Sequence, residues 1–236
     1  MKIVIKLSLD KAIESLRDGK PVLVHDSESR ENEIDIFILA SKMTPDKIRL
    51  MRKDGGGLIC VAIHSRIANV LDIPLIQELY IYSSYDTLRK LSSKDIPYDR
   101  RSSFSITVNH VNTVTGITDV DRSITIKRIG ELCREYWYKK INDERLHEMF
   151  LKEFRSPGHV HLLRGAEGLL SERKGHTELA IALALLANVE PCVALVEMLS
   201  DNGKALSYEE ARKYAERNGL AILTGKEIEK EFRKIF

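Results

Sequence analysis

The chain has 236 residues, of which 43% are hydrophobic and 31% are charged, and its net charge is +2 at pH 7. This length allows one large buried core, and the interspersed charges exclude the basic block that nucleic-acid or lipid binding requires. The three cysteines form no Cys-x-x-Cys pair, which excludes a zinc ribbon and indicates a reducing cytoplasm. The N-terminus is too short and charged for a signal peptide, and the longest apolar stretch, residues 179–189, is too short to span a membrane.

Hydrophobic periodicity and capping residues predict the elements in the first part of the chain. In order, we predict a helix from Ser8 to Gly19, strands at residues 21–24 and 34–40, a helix from Pro45 to about Lys53, a strand at 58–63 and a short helix at 66–71. Residues 72–101 are rich in tyrosine and serine, and they are predicted to be irregular. Such a length is unusual for a passive connection.

The second part of the chain continues without a regular alternation of strands and helices. We predict a strand at residues 104–108, a polar loop at 113–122, a charged helix at 124–150, a short strand at 159–163, an apolar helix at 177–189, a strand at 192–199, a helix from Ser207, a strand at 220–223 and a helix from Thr224. This pattern predicts a single α+β domain over residues 1–236, with a mixed β-sheet layered with helices.

An acidic loop lies between the second and third predicted elements. Residues 26–35 (Asp-Ser-Glu-Ser-Arg-Glu-Asn-Glu-Ile-Asp) hold five carboxylates and one arginine. So many like charges in a short connection repel one another, and a hard divalent cation such as Mg²⁺ offsets that repulsion through oxygen ligands. Arg30 adds a planar fork that suits a carboxylate or a phosphate. The alternative interpretation is a solvated hairpin loop with no ligand.

A basic cluster precedes the apolar helix at residues 177–189. Arg173, Lys174 and Thr177 would bind an anion there, together with the free backbone N–H groups of the helix start. His176 would stay neutral beside the positive end of the helix and could bind a metal. Alternatively, Thr177 only caps the helix and the basic residues are solvated.

Two further residues stand out from their surroundings. Glu197 ends an apolar run, so its carboxylate either has a partner or a raised pKa, unless it faces solvent at the strand end. His159 follows the turn signal Ser156-Pro157-Gly158, a position where a histidine is more often structural than catalytic. Together with the two clusters, these residues suit a metal-assisted reaction on a small phosphorylated sugar.

Five motifs in order carry a resemblance over nearly the whole chain. They are Arg30-Glu31-Asn32-Glu33-Ile34-Asp35, Gly55-Gly56-Gly57-Leu58-Ile59-Cys60, Thr115-Gly116-Ile117-Thr118, Pro157-Gly158-His159-Val160 and Arg173-Lys174-Gly175-His176-Thr177-Glu178. In this the chain resembles the monofunctional form of 3,4-dihydroxy-2-butanone 4-phosphate synthase. The resemblance implies a lyase of riboflavin biosynthesis that converts D-ribulose 5-phosphate to L-3,4-dihydroxy-2-butanone 4-phosphate and formate. It also implies Mg²⁺ or Mn²⁺, with two ions per site, and a cytoplasmic homodimer with its sites at the subunit interface.

The resemblance also assigns roles by motif position. It implies that Glu31 and His176 are metal ligands, and that Glu197, His159 and Glu33 are catalytic. The implied substrate contacts are Arg30, Glu31, Asp35, Arg173, Gly175, His176, Thr177 and Glu197. No residue spacing matches the zinc site of GTP cyclohydrolase II, so we expect no such domain.

Three residues of the acidic loop depart from the family pattern. Ser27 and Ser29 interrupt a stretch that is usually richer in Asp, and Ile34 replaces a small residue. The serines are expected to weaken metal or substrate affinity, and Ile34 to alter the path of the loop. Two other functions stay open at this point. One is a metal-dependent aldolase or isomerase that releases no formate, and the other is a binding module for a phosphosugar or a nucleotide.

Overall fold

Seven strands form one mixed sheet in the computed structural model, which describes residues 2–92, 99 and 101–235. The strands are β1 (Val22–His25), β2 (Ile34–Leu39), β3 (Cys60–Ile63), β4 (Phe104–His110), β5 (Phe154–Arg164), β6 (Cys192–Glu197) and β7 (Ala221–Thr224). Their order across the sheet is β4-β5-β3-β6-β2-β1-β7. The pairs β1–β7 and β3–β5 are parallel and the other neighbours are antiparallel. The predicted α+β class with a mixed sheet is thereby confirmed.

Helices cover both faces of this sheet. The helices are α1 (Lys2–Arg17), α2 (Pro45–Leu50), α3 (Ser65–Val70), α4 (Ile76–Ile81), α5 (Asp86–Leu91), α6 (Asp119–Trp137), α7 (Asp143–Glu153), α8 (His176–Leu186), α9 (Tyr208–Asn218) and α10 (Gly225–Ile235). One hydrophobic core joins the sheet to α2, α3, α6, α7 and α9, and a second core joins it to α1, α8 and α10. Among the residues described, no helix is long and apolar enough to cross a bilayer.

Strand β2 shows how the sheet separates these two cores. Successive side chains of a strand point to opposite faces. Ile34, Ile36 and Ile38 accordingly enter the first core, whereas Phe37 and Leu39 enter the second. By the same alternation, Asp35 points to the face that α8 covers. Helix α8 is buried at nearly every position, as its apolar sequence predicts, so a carboxylate is directed into the interior there.

Four predictions about the elements are wrong in detail. Helix α1 begins at Lys2 rather than at Ser8, and α4 and α5 lie within the stretch predicted to be irregular, whose residues 93–98 and 100 lie outside the description. The predicted helix at 124–150 is two helices, because Lys139 adopts a left-handed φ of 56° and the Asn142 side chain caps α7. An apolar pattern that continues past a short turn hides such a break. The first of these two helices, α6, already begins at Asp119, inside the stretch 113–122 predicted to be a polar loop.

The predicted short strand at 159–163 is the second half of a longer strand, β5. Opposite it, the register with β4 shifts between the pairs Val108–Val160 and Asn109–Arg155, so residues 156–159 bulge out of the ladder. The backbone N–H groups of Gly158 and His159 donate instead to the side chains of Thr107 and Asn109. The Pro-Gly pair therefore marks a bulge inside a strand rather than a turn before one.

Candidate active site

A cavity of about 360 Å³ opens where the acidic loop meets the ends of β2 and β6 and the N-terminus of α8. It brings together eight residues that the sequence predicted: Arg30, Glu31, Glu33, Asp35, Arg173, His176, Thr177 and Glu197. The remaining lining residues are Arg101, Ser102, Ser103, Phe104, Leu163 and Leu195. Segments more than 140 residues apart in the sequence thus contribute to one site.

The acidic loop is held in shape by one of its own carboxylates. Asp26 is buried, and its two oxygens accept hydrogen bonds from the backbone N–H groups of Glu31 (3.0 Å) and Glu33 (3.1 Å). Asn32, between them, has a positive φ of 55°, a conformation that Asn tolerates better than most residues. This turn directs Glu31 and Glu33 into the cavity.

His176 lies between two carboxylates at the bottom of the cavity. Its Nδ1 is 3.3 Å from Glu31 Oε2, and its Nε2 is 3.6 Å from Asp35 Oδ1, too far for a hydrogen bond. Both Nε2 and Asp35 Oδ1 are buried, and neither has a hydrogen-bond partner among the described residues. Buried polar atoms are seldom left in this state unless they serve a ligand or a reaction.

The carboxylates around His176 differ in their ionisation. Burial, opposed by His176 and aided by the nearby carboxylates, raises the pKa of Asp35 to about 8. Burial also raises the pKa of Glu33, with help from Glu31 and Glu197. Burial alone would raise the pKa of Glu31 as well, but the hydrogen bond from His176 and the charge of Arg30 outweigh it and lower that pKa. Glu31 therefore remains an anion, whereas Asp35 and Glu33 are held closer to neutrality. Burial lowers the pKa of His176, but the charge of Asp35 and the hydrogen bond with Glu31 outweigh it and raise that pKa to about 9, so the expectation of a neutral imidazole at the helix start is wrong.

These donors fit a divalent cation. Asp26, Glu31 and His176 each offer a ligand atom, and the three atoms lie within 4.8 Å of one another. Carboxylate oxygens suit Mg²⁺ and Mn²⁺, and an imidazole suits the softer of the two. The unpartnered Nε2 of His176 and Oδ1 of Asp35 are a further sign that this pocket is built for a group beyond the chain itself.

Glu197 reaches the cavity from the strand next to Asp35. The two residues are cross-strand partners in the β2–β6 ladder, and Glu197 Oε2 accepts a hydrogen bond from the Leu58 N–H at 2.8 Å. Gly57 makes room for this carboxylate, since a Cβ there would lie 2.3 Å from Oε2. The glycine turn at residues 55–57 therefore positions Glu197, a role that its sequence does not reveal.

Two arginines that line the cavity converge on one carboxylate, Asp99. Arg30 Nη2 and Arg173 Nε each lie 2.5 Å from Oδ2 of Asp99, and Arg30 Nη1 donates to Glu31 at 2.7 Å. Arg173 Nη1 donates to Glu178 Oε2 at 2.6 Å. Gly175 does not line the cavity, but a Cβ at this position would lie 2.2 Å from Arg173 Nη1. The glycine therefore allows the Arg173 guanidinium to lie close to the start of α8.

His159 is the one predicted catalytic residue that lies away from this cavity. It is exposed in the β5 bulge, and its Nδ1 is 3.1 Å from Asn109 Nδ2. The departures from the family pattern also lie away from the cavity. Ser27 and Ser29 hydrogen-bond to each other at 3.3 Å, and Ile34 is fully buried in the first core. None of the three lines the cavity.

Sequence reasoning missed three carboxylates that organise the site. Asp26 belongs to the acidic loop, but its role in holding the turn depends on backbone geometry. Glu178 offered a signal, because it is an acid in the first turn of a helix that is otherwise apolar, and such a charge needs a buried partner. Asp99 offered none, since it stands in the stretch predicted to be irregular.

Comparisons with known proteins show which family the chain belongs to. A family model for 3,4-dihydroxy-2-butanone 4-phosphate synthase matches residues 10–231. The chain is 47% identical over 232 residues to the protein of that name from Archaeoglobus fulgidus, covering 97% of this chain and 95% of the relative. It is 45% identical to the one from Methanothermobacter thermautotrophicus, covering 97% of this chain and 96% of the relative.

Solved structures share the fold. A synthase of the same name in a cation-free form superimposes with a TM-score of 0.73 at 24% sequence identity, covering 96% of this chain and 97% of the other. A second structure, of a synthase in complex with two magnesium ions, gives a TM-score of 0.72 with the same identity and coverage.

Proposed function

Because the chain belongs to the 3,4-dihydroxy-2-butanone 4-phosphate synthase family, we propose that the acidic cavity is the active site of this reaction. The chain is a lyase of riboflavin biosynthesis, and it converts D-ribulose 5-phosphate to L-3,4-dihydroxy-2-butanone 4-phosphate and formate. The observation that carries the site is the convergence of Glu31, Asp35 and His176 with Arg173 and Thr177 in a single cavity. Carboxylates and an imidazole thus line the same cavity as groups suited to a phosphate.

Glu31 and His176 hold a divalent cation in this proposal, Mg²⁺ or Mn²⁺, and a second ion shares the acidic cavity. The cluster of ligand atoms supports the first ion, and the solved relative with two magnesium ions supports the second. When bound, the cation supplies Lewis-acid polarisation of the substrate carbonyl and hydroxyl oxygens. Asp26 holds the loop that presents Glu31, and it is itself within reach as a third ligand.

The phosphate of the substrate binds at the start of α8. Thr177 lines the cavity there, Arg173 brings a guanidinium, and the first turn of the eleven-residue helix presents backbone N–H groups that have no partner within the helix. Arg30 approaches the same place from the acidic loop. Holding the phosphate at this end leaves the sugar carbons within the cavity that Glu33, Asp35 and Glu197 also line.

Glu33 and Glu197 are the proposed acid/base residues. Glu33 has a pKa raised by burial, which brings it closer to the operating pH of a general base. Glu197 is fixed by the Leu58 N–H and stands beside Asp35, so either carboxylate is placed to take the C3 proton of the substrate and to return it later.

We also propose that two copies of the chain form a homodimer in which His159 serves the cavity of the partner subunit. His159 is exposed and does not line its own cavity. The segment that follows the edge strand β4 exposes Val111, Val114, Ile117 and Val120, and a set of exposed apolar side chains beside a sheet edge favours a protein contact. A cytoplasmic location belongs to the same proposal, and three unpaired cysteines in the described structure support it.

Formate release from ribulose 5-phosphate tests the function, with Mg²⁺ and then with excess EDTA, read through formate dehydrogenase. We expect formate with the metal and none with the chelator. Release that persists in excess EDTA would contradict the metal site, and substrate binding without any formate would contradict the reaction.

Mixing two inactive variants tests the shared site. Glu31→Gln and His159→Ala are each expected to be inactive alone, because each dimer then has two damaged sites. After mixing and subunit exchange, a heterodimer regains one intact site, so about a quarter of wild-type activity should return. No recovery, with exchange demonstrated by native mass spectrometry, would place His159 outside the partner's site.

A further inference from the structure

A single carboxylate oxygen stands between the two arginines of the cavity. Asp99 Oδ2 lies 2.5 Å from Arg30 Nη2 and 2.5 Å from Arg173 Nε. Two guanidinium groups carry fixed positive charges and repel each other when they converge. Asp99 compensates this repulsion at the place where two arginines point at one anionic atom.

Arg173 has a second carboxylate partner of a different kind. Glu178 is fully buried, its Oε2 accepts from Arg173 Nη1 at 2.6 Å, and its Oε1 accepts from the Ala166 N–H at 3.1 Å. Both of its oxygens are therefore fixed by the protein. Asp99 has a side chain that is 12% exposed, and the oxygen that binds the arginines contacts two residues that line the cavity, although Asp99 itself does not line it.

The two carboxylates differ in what an incoming anion could do to them. An anion cannot replace Glu178, because removing a fully buried carboxylate from its hydrogen bonds leaves it without solvation. It can replace Asp99, because that side chain has access to water and the two arginines would keep an anionic partner. The exchange replaces the charge-assisted hydrogen bonds from the arginines to Asp99 with similar bonds to the anion, so both arginines still have an anionic partner.

We propose that Glu178 is a positioning residue that sets the orientation of Arg173, and that Asp99 is an internal counter-ion that the phosphate of the substrate displaces. This inference rests on the proposed assignment of Arg30 and Arg173 to the phosphate. It gives the two carboxylates opposite effects on anion binding, although each is paired with the same guanidinium. Glu178 strengthens binding by fixing the donors, and Asp99 weakens it by occupying them.

The experiment compares Asp99→Asn with Glu178→Gln by isothermal titration with inorganic phosphate, in EDTA so that no metal contributes. Asp99→Asn should lower the Kd for phosphate roughly three- to tenfold, because the competing charge is gone. Glu178→Gln should raise the Kd roughly tenfold, because Arg173 loses its anchor. A purely electrostatic effect of removing one negative charge would instead lower the Kd in both variants.

Asp10→Asn is the matched control, since it removes one carboxylate charge from an exposed position on α1 and should leave the Kd unchanged. Asp99→Glu keeps the charge and should retain weaker binding than Asp99→Asn. A Kd that falls in both variants, or an Asp99→Asn value equal to or above wild type, would overturn the proposal. If Glu178→Gln does not fold, Asp99→Asn can still overturn the counter-ion assignment, because a Kd that does not fall there contradicts it, and Asp10→Asn measures the effect of losing a distant charge.

Formate release by the wild-type protein is measured in the same preparation. If the wild type releases formate but Asp99→Asn fails to bind phosphate more tightly, only the counter-ion inference fails. If the wild type binds phosphate but releases no formate from ribulose 5-phosphate, the proposed reaction fails while the inference is still tested by the titration. Under turnover conditions, Asp99→Asn should lower KM and Glu178→Gln should raise it.

Discussion

The cavity and a cluster around Arg128 both contain more carboxylates than cations, but they differ in how the repulsion between the carboxylates is reduced. Arg128 donates to Glu153 through Nε (2.5 Å) and Nη2 (3.1 Å) and to Glu135 at 3.1 Å, with Glu131 at 3.6 Å. Its carboxylate partners are 23–30% exposed. Water therefore disperses the excess negative charge, and the hydrogen bonds from Arg128 lower the pKa of Glu153.

The cavity buries two of its ionisable groups much more deeply. Asp35 is 1% exposed and His176 is 5% exposed, and each has a buried atom without a hydrogen-bond partner among the described residues. Burial raises the pKa of Asp35 instead of lowering it. Carboxylates beside a partly exposed arginine thus form structural ion pairs. Carboxylates beside the buried His176 form a set of ligand atoms in which some atoms have no partner, here called the incomplete set. The incomplete set is the one expected to gain stability and function from a bound ion.

The largest expected effect comes from breaking the incomplete set. Glu31→Gln removes a proposed metal ligand and a charge, so formate release should fall by roughly three orders of magnitude or more. In the wild type, Mg²⁺ at about 100 times its Kd should raise the free energy of unfolding by about 2.7 kcal/mol, and this increase should disappear in the variant. Formate assays and thermal denaturation with and without Mg²⁺ measure the two effects.

Glu28→Gln is the matched control, because Glu28 is an exposed carboxylate of the same loop that does not line the cavity. It should retain both activity and the response to Mg²⁺. An unchanged kcat for Glu31→Gln at saturating Mg²⁺ would show that Glu31 is not a metal ligand. The difference in burial between the two clusters would then not indicate a difference in function.

The sequence predicted the fold class and most strands, because period-two and period-3.6 patterns report which faces are buried. It did not predict the break at Lys139 or the helices α4 and α5. In the first case the apolar pattern runs across the turn, and in the second no residue of α4 or α5 is buried, so burial leaves no pattern to read. The β5 bulge was also missed, since a Pro-Gly pair indicates a turn unless the partner strand is known.

The sequence identified which residues form the site, but it did not identify which of them contact one another. Eight predicted residues line one cavity, and motif order carried that result. The pairing of Asp35 with Glu197 depends on the β2–β6 register, and the bridge from Arg30 through Asp99 to Arg173 joins three separate segments. Such contacts are properties of tertiary structure, and no local spacing encodes them.

A smaller effect tests whether polar groups of the cavity serve the ligand rather than the fold. Thr177 is buried at the start of α8 and lines the cavity. Thr177→Ala should raise KM for ribulose 5-phosphate about tenfold, which corresponds to about 1.4 kcal/mol, with kcat nearly unchanged because the hydroxyl binds the phosphate alike in substrate and transition state. Thr177→Ser keeps the hydroxyl and should restore KM. A fall in kcat with KM unchanged would assign Thr177 to the chemical step instead.

The smallest effect is expected in the Arg128 cluster, where it should appear in stability alone. Glu153→Gln removes the anion from a partly exposed pair and should cost about 1 kcal/mol at pH 7 with kcat unchanged. Because the folded pKa of Glu153 lies below its usual 4.5, its stabilising contribution is present above that pH and is lost as the pH falls through the folded pKa. Urea denaturation of variant and wild type should therefore differ at pH 7 and converge in acid. Glu148→Gln, on the same helix but in an exposed pair with Arg145, should change stability by only a few tenths of a kcal/mol. A loss of kcat in Glu153→Gln would show that the Arg128 cluster also serves the reaction. A difference in unfolding free energy that widens in acid would contradict the assignment of Glu153 to a stabilising ion pair.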